Sequence, residues 1–357
     1  MRLQCATIAV TIATLAGSVS ALALTQEEIL NYKGADRDKV LIEGAKKEGQ
    51  VVFYSGMIPN QTLRPLADAF QKKYPGVKLN FWRADSEEIV TKMQAEQRAN
   101  NMVGDVLEGT GVGELAVSAN LVQPFTSPVL SEYPEQFRDP RKFWAPTRLS
   151  YFGIAYNTKQ VPANKVPKSW DDLLDPQWTG KMAWSFGPAT AAGLMITTIR
   201  KVMGEEKAKA YFEKLGKQKI ANLAETSRTV VDRTMAGEYA LGLAIYAHHP
   251  LISKAKGAPV DTVLFDPVAS AAGVMLVAKN VPHPHAAMLL VDFILSKDGQ
   301  DIMAKSQYFP ARPDVPALPE LAPIVPSAVD FKDLFVTPED LQNYADSSAK
   351  ILNDYFR

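Results

Sequence analysis

From end to end, the chain alternates short apolar runs ending in small or polar residues with charged segments whose apolar positions recur every three or four residues. A period of two marks a strand and a period near 3.6 a helix. The first such pair lies in Leu41–Gly56, where a charged helix stops at Gly49 and the apolar strand Val51–Tyr54 runs straight into Ser55-Gly56. Thr62–Lys73 then carries Leu63, Leu66, Ala67 and Phe70 at helical spacing, and Tyr74-Pro75-Gly76 ends it. Val77–Trp82 predicts a strand, Ser86 the cap of a helix over Glu87–Ala99, and Asp105–Leu107 a third strand. Ala145–Asn157 predicts a long extended segment, and Ser169 caps a short helix after the proline-rich Val161–Lys168. Beyond it the pattern predicts a strand over Gly180–Ser185, helices over Ala191–Met203, Lys207–Lys217 and Val230–Ala236, and a strand over Ala240–Tyr246. Two strands within Asp261–Ala278 and an apolar helix over His285–Leu295 follow, and the proline-rich Arg312–Pro326 wraps the surface. Strands that alternate with helices in this way give an α/β protein.

Composition narrows the setting. Arg2 is the only charged residue before Glu27, Cys5–Gly17 is a short apolar run, and Ala21-Leu22-Ala23 offers small residues where a signal peptidase reads. Residues 1–23 are therefore expected to be an export leader cleaved near Ala23, its apolar core too short to span a bilayer. The single cysteine, Cys5, lies in that leader, so the mature chain has no disulfide, thiolate nucleophile or cysteine metal site. The remaining residues, about 334, allow two domains of ordinary size. Lys+Arg and Asp+Glu are balanced at 39 each, without basic runs, which argues against nucleic acid or a charged membrane surface as partner.

In an open α/β sheet, ligands bind beyond the carboxyl ends of the strands, and that is where the polar candidates fall. Ser55 and Gly56 follow the first strand, and Arg83 and Ser86 follow the second. Gly109–Gly113 is glycine-rich but lacks the Lys-Ser/Thr of a phosphate-binding P-loop. Arg148 lies beside Tyr151 on the long extended segment, where a guanidinium fork can clamp a carboxylate or phosphonate or close a salt bridge between lobes. Ser227 and Arg228 precede a helix whose N-terminus favours anions. His248-His249, read as adjacent residues on extended chain, point to opposite sides. That disfavours joint metal ligation and leaves at least one free to bond a ligand oxygen, which would make binding pH-dependent. Trp82, Tyr151 and Tyr246 can cover an organic ligand or serve as core. His283 and His285, at a helix start, read as capping or surface residues. There is no Gly-x-Ser-x-Gly elbow and no His-Glu-x-x-His, so catalysis is not expected.

Five stretches carry a resemblance: EGQVVFYSG (48–56), GDVLEGTG (104–111), YFGIAYNTKQVP (151–162), SWDDLLDPQWTGKM (169–182) and AAGVMLVAKNVPHPHAAMLLVDFILSKDGQ (271–300). Together they resemble the ferric-iron-type solute-binding proteins of bacterial ABC importers. The resemblance implies a two-lobe type II periplasmic-binding-protein fold, with two mixed sheets flanked by helices and a hinge of crossing segments. It implies one lobe from residues 24–150 and 265–357 and another from 151–264, a monomer that holds a small molecule in the cleft, and delivery to a membrane permease. Gly187, Ala189 and Thr190 would then open a helix facing the cleft. Members that bind bare ferric iron use a histidine, a glutamate and two adjacent tyrosines. Here Ile58 aligns with the histidine and Thr110 with the glutamate, Glu108 standing two residues early, and His248-His249 fall near the tyrosine pair, with Tyr246 one gap away. Hard Fe(III) wants anionic oxygen, from phenolates and carboxylates, which an imidazole pair or an aliphatic carbon does not supply. The expectation is a small organic anion as ligand, with no metal and no cofactor; an iron importer is the alternative and an exported hydrolase a remote one.

Overall fold

Eleven strands form a single hydrogen-bonded sheet. They are β1 (Gln50–Ser55), β2 (Lys78–Arg83), β3 (Val106–Gly109), β4 (Val122–Gln123), β5 (Trp144–Asn157), β6 (Met182–Ser185), β7 (Ala221–Leu223), β8 (Leu241–Tyr246), β9 (Val260–Val263), β10 (Val268–Ala278) and β11 (Asp333–Phe335). The computed structural model describes residues 24–187 and 191–357; the expected leader, Ala189 and Thr190 lie outside the described residues.

The strand order β2-β1-β3-β10-β5-β8-β6-β7 joins the two expected mixed sheets into one path. The reason is the length of β5. Its first part pairs with β10, Trp144 opposite Leu276 through Phe152 opposite Ala269. Its last part pairs with β8 and β9, Phe152 opposite Tyr246 and Asn157 opposite Val260. β1, β2 and β3 run parallel, and β10 runs antiparallel to β3 and β5. Two cores lie either side of this crossing. Val51, Phe53, Leu107, Leu276 and Phe293 are in the first; Trp184, Ile196, Phe212 and Leu241 are in the second.

Several local expectations need correction. Asp85, not Ser86, caps the helix Ser86–Arg98, its carboxylate accepting from Glu88 N–H at 2.9 Å. His283 stands at the N-cap of the helix Pro284–Leu295, as expected, but its side chain makes no capping bond, and both histidine rings are half-buried against carboxylates. Their Nδ1 atoms lie 2.9 Å from Asp105 and 2.7 Å from Glu48, and Glu48 also accepts from the backbone N–H groups of His285 and Ala286 at the start of the helix Pro284–Leu295.

Pro338–Tyr355 is a helix whose sparse apolar positions hide it in the pattern, although Thr337 and Asp340 form a capping box at its start. Residues 265–357 were expected in the first lobe, yet this helix packs its apolar side on the second. Leu352 and Phe356 belong to the second core, and Phe356 stacks edge-on against Trp184 at 4.9 Å. Burial of these side chains outweighs chain proximity. Its first turn keeps hold of the other side: Glu339 accepts from Trp144 Nε1 at 3.0 Å and pairs with Arg141, while Asp340 pairs with Lys201 at 2.5 Å. Truncating Phe356→Ala should cost about 3 kcal/mol in urea unfolding, by lost transfer and an unfilled space. A change below about 0.5 kcal/mol would show that the helix is only loosely applied.

Candidate functional site

The carboxyl ends of β1, β2 and β3 bring Ser55, Arg83 and Glu108 into register, with Ser55 opposite both of the others. Glu108 is fully buried. Its carboxylate accepts from Ser55 Oγ at 2.5 Å and from Thr147 Oγ1 at 3.2 Å, and it pairs with Arg148, itself 8% exposed. Burial opposes the Arg148 charge, but the neighbouring Glu108 carboxylate outweighs it and raises the guanidinium pKa. Of the two roles open to Arg148 in the sequence, the salt bridge is the one formed here. The guanidinium also lies 4.7 Å from the Tyr308 ring centroid, a cation–π contact. The other first-wall candidates surround this pair. Gly56 donates to the Glu108 carbonyl at 3.2 Å, and Ser86 sits on the first helical turn, its hydroxyl against Gly109. Arg83 is exposed and forms no ion pair among the described residues.

Across the cleft, β8 ends at Tyr246, and the chain turns at once into the helix His248–Lys254. The two histidines are therefore helical, not extended. Their rings meet at 4.5 Å and share one side with Tyr246, whose ring lies 5.9 Å from His248 and 5.3 Å from His249. The Thr110 hydroxyl favours the ionised form of the nearby Tyr246 phenol, and His248 packs 6.5 Å from Tyr308 and 6.0 Å from Phe309. Ser227 and Arg228 open the helix Ser227–Ala236, with Thr226 as its cap. Arg228 pairs with Asp232 at 2.8 Å on a half-exposed surface and lies close enough to both imidazoles to disfavour their protonation. Three buried atoms in this wall, Ser227 Oγ, His248 Nδ1 and His249 Nδ1, have no hydrogen-bond partner among the described residues. Most buried polar atoms do have one, so these three mark a place where something polar belongs.

Two aromatic candidates point elsewhere. Tyr151 is buried against Phe309 at 4.8 Å, and Trp82 packs edge-on against Tyr54 at 5.2 Å. Gly187 follows β6, and its carbonyl accepts from Gly193 N–H. Sequence reasoning missed Tyr308, Phe309, Thr147 and Gly273. Tyr308-Phe309 had a weak signal, two adjacent aromatics after an amphipathic helix. Gly273 had none, because its role appears only when β10 meets β5: a Cβ there would stand 2.5 Å from Arg148 Nη1 and 3.0 Å from Glu108 Oε1.

Gly273→Ala should therefore push the ion pair apart and lower stability by about 1–3 kcal/mol, the usual cost of overpacking, read by denaturant unfolding. An unchanged midpoint would show that the pair moves freely. The histidines predict a pH effect on stability. Burial, with the nearby cations, pushes His248 down to about 3 and His249 down to about 4, against 6.5 for a free imidazole. Between those values the unfolded chain binds more protons than the native one, so stability is present above pH 6.5 and is lost as pH falls toward 4. The thermal midpoint of the wild type should fall across that window, and the His248→Asn/His249→Asn variant should fall less. Parallel curves would contradict it. The same burial favours neutral rings in this structure.

The comparisons agree with this architecture. Residues 105–333 match the family profile described as bacterial extracellular solute-binding protein. The Fe(3+)-binding periplasmic protein of Serratia marcescens is 24% identical over 295 residues, which cover 79% of this chain and 85% of that one. Among solved structures, the Trichodesmium protein FutA (IdiA) in complex with iron and citrate superposes with a TM-score of 0.73 at 20% identity, covering 86% of this chain and 99% of that one. The periplasmic binding protein AfuA from Actinobacillus pleuropneumoniae, with fructose-6-phosphate bound, gives a TM-score of 0.68 at 26% identity, covering 86% and 97%. The neighbours have the type II periplasmic-binding-protein fold and are binding proteins, not enzymes. With its profile match extending over more than half the sequence, the chain belongs to the bacterial extracellular solute-binding protein family, the ligand-capturing components of ABC importers.

Proposed function

We propose that this solute-binding protein captures a small organic anion bearing a carboxylate, phosphonate or phosphate group and hands it to a membrane permease. In this reading the export leader is cleaved near Ala23, the mature protein acts as a monomer in the periplasm, and nucleic acid plays no part. The lobes are residues 24–150 with 265–337 and residues 151–264 with the C-terminal helix. The observation that carries the proposal is the set of unpartnered atoms on the second wall, Ser227 Oγ, His248 Nδ1 and His249 Nδ1, gathered beside Arg228. Hydroxyl and imidazole N–H groups donate to an anionic oxygen, and the N-terminus of the helix Ser227–Ala236 adds its partial positive charge. Tyr246, Thr110 and Arg83 complete the enclosure, and the first wall contributes Ser55, Gly56, Ser86, Glu108 and Arg148 as its floor.

Bare ferric iron fits these donors poorly. Ile58 offers no ligand atom, the histidines are soft for Fe(III), and burial raises the Tyr246 phenol above its usual pKa, so phenolate forms less readily. The names of relatives include both iron and a sugar phosphate, so the test must separate the two. A thermal-shift screen of the mature protein against carboxylates, phosphonates, fructose 6-phosphate, ferric ion and ferric citrate does so. An organic anion should raise the midpoint by several degrees, corresponding to about 2.7 kcal/mol at a hundredfold excess over Kd. Ser227→Ala/Arg228→Ala should abolish most of that shift. A large shift with ferric ion and none with any organic anion would overturn the proposal.

A further inference from the structure

We propose that Glu108 is a built-in anion: it fills the first wall's own anion-holding donors, so the cleft accepts a ligand with one anionic pole and rejects one that presents a second. The inference rests on the reading above, in which the anionic head seats on the second wall.

The geometry is that of an occupied carboxylate site. Ser55 Oγ from β1, and Thr147 Oγ1 and the Arg148 guanidinium from adjacent positions on β5, converge on the two Glu108 oxygens. A hydroxyl pair and an arginine fork are the groups with which proteins clamp free carboxylates and phosphates. Here all three are satisfied internally, inside a buried site. Gly273 leaves room for the arrangement, because any side chain there would collide with Arg148 and Glu108. The guanidinium still borders the cleft, lying against Tyr308 and interacting electrostatically with Tyr246 and His248 across it. Its charge is cancelled there, so apart from the exposed Arg83 at the end of β2 the floor offers a ligand polar and aromatic surface without net positive charge. A second anionic pole placed there would meet the Glu108 field instead of a free cation.

Removing the internal carboxylate should turn the floor into an anion site. Glu108→Gln keeps the side-chain volume and leaves Arg148 uncompensated; Glu108→Ala also opens space for a small carboxylate. The probes are citrate and fructose 1,6-bisphosphate, compared with fructose 6-phosphate, and formate for the alanine variant. Binding is read by calorimetry, and stability by thermal unfolding against chloride at matched ionic strength. The expected result is at least a tenfold gain in affinity for citrate or the bisphosphate in Glu108→Gln relative to wild type. Formate should raise the midpoint of Glu108→Ala but not of wild type or of Glu108→Ala/Arg148→Met. Should one of these variants fail to fold, the other carries the test, and Glu108→Asp, one methylene shorter with the charge kept, should show no gain. Wild-type binding of the doubly anionic probes as tight as that of the variants, or no gain in any variant, would overturn the inference. The earlier reading fails separately, through the absence of any organic-anion shift on the wild type.

Discussion

The buried pair of Glu108 and Arg148 ties the molecule together at its centre. Glu108 ends β3, Ser55 ends β1, Arg148 lies on the crossing strand β5, and Gly273 on β10 faces them, so four strands meet at one carboxylate. A buried charge left without its partner costs several kcal/mol, whereas a buried pair with its remaining hydrogen bonds met is tolerated. That asymmetry explains why the surroundings are built so closely, with two hydroxyls on the carboxylate and a glycine where any Cβ would intrude. The same pair forms the floor of the cleft and is the point from which the second lobe departs along β5.

In the proposed reading, two walls around this floor divide the work of recognition. In the first, Ser55, Glu108, Thr147 and Arg148 bond each other, and Arg83 stands exposed at the end of β2. The second holds three of the buried polar atoms that lack a partner among the described residues, with imidazoles packed against Tyr246 and Tyr308. Burial favours the uncharged form of those rings while retaining directional donors and acceptors. The C-terminal helix lies outside the cleft but touches both sides of the crossing, through Glu339 on Trp144 and Phe356 on Trp184.

The alternation of strands and helices was legible in the chain almost throughout, because buried strands are β-branched runs and amphipathic helices show their period. The type II fold followed from five motifs and agrees with the solved relatives. What the pattern concealed depends on partners distant in sequence. The helix Pro338–Tyr355 has too few apolar positions to announce itself, and Trp184 and Phe212 define its buried side. Ser55, Arg83 and Glu108 were identified as strand-end residues, but nothing local says that Ser55 and Glu108 bond each other. His248-His249 were read as adjacent residues on extended chain; the helix that begins there turns both rings to one side. Gly273 is invisible without the strand opposite it.

Native mass spectrometry of the protein released gently from the periplasm tests the central claim most directly. The account predicts one copy of the mature chain carrying an organic anion of a few hundred daltons, lost on Ser227→Ala/Arg228→Ala substitution. A mass increase corresponding to iron alone, retained in that variant, would contradict it.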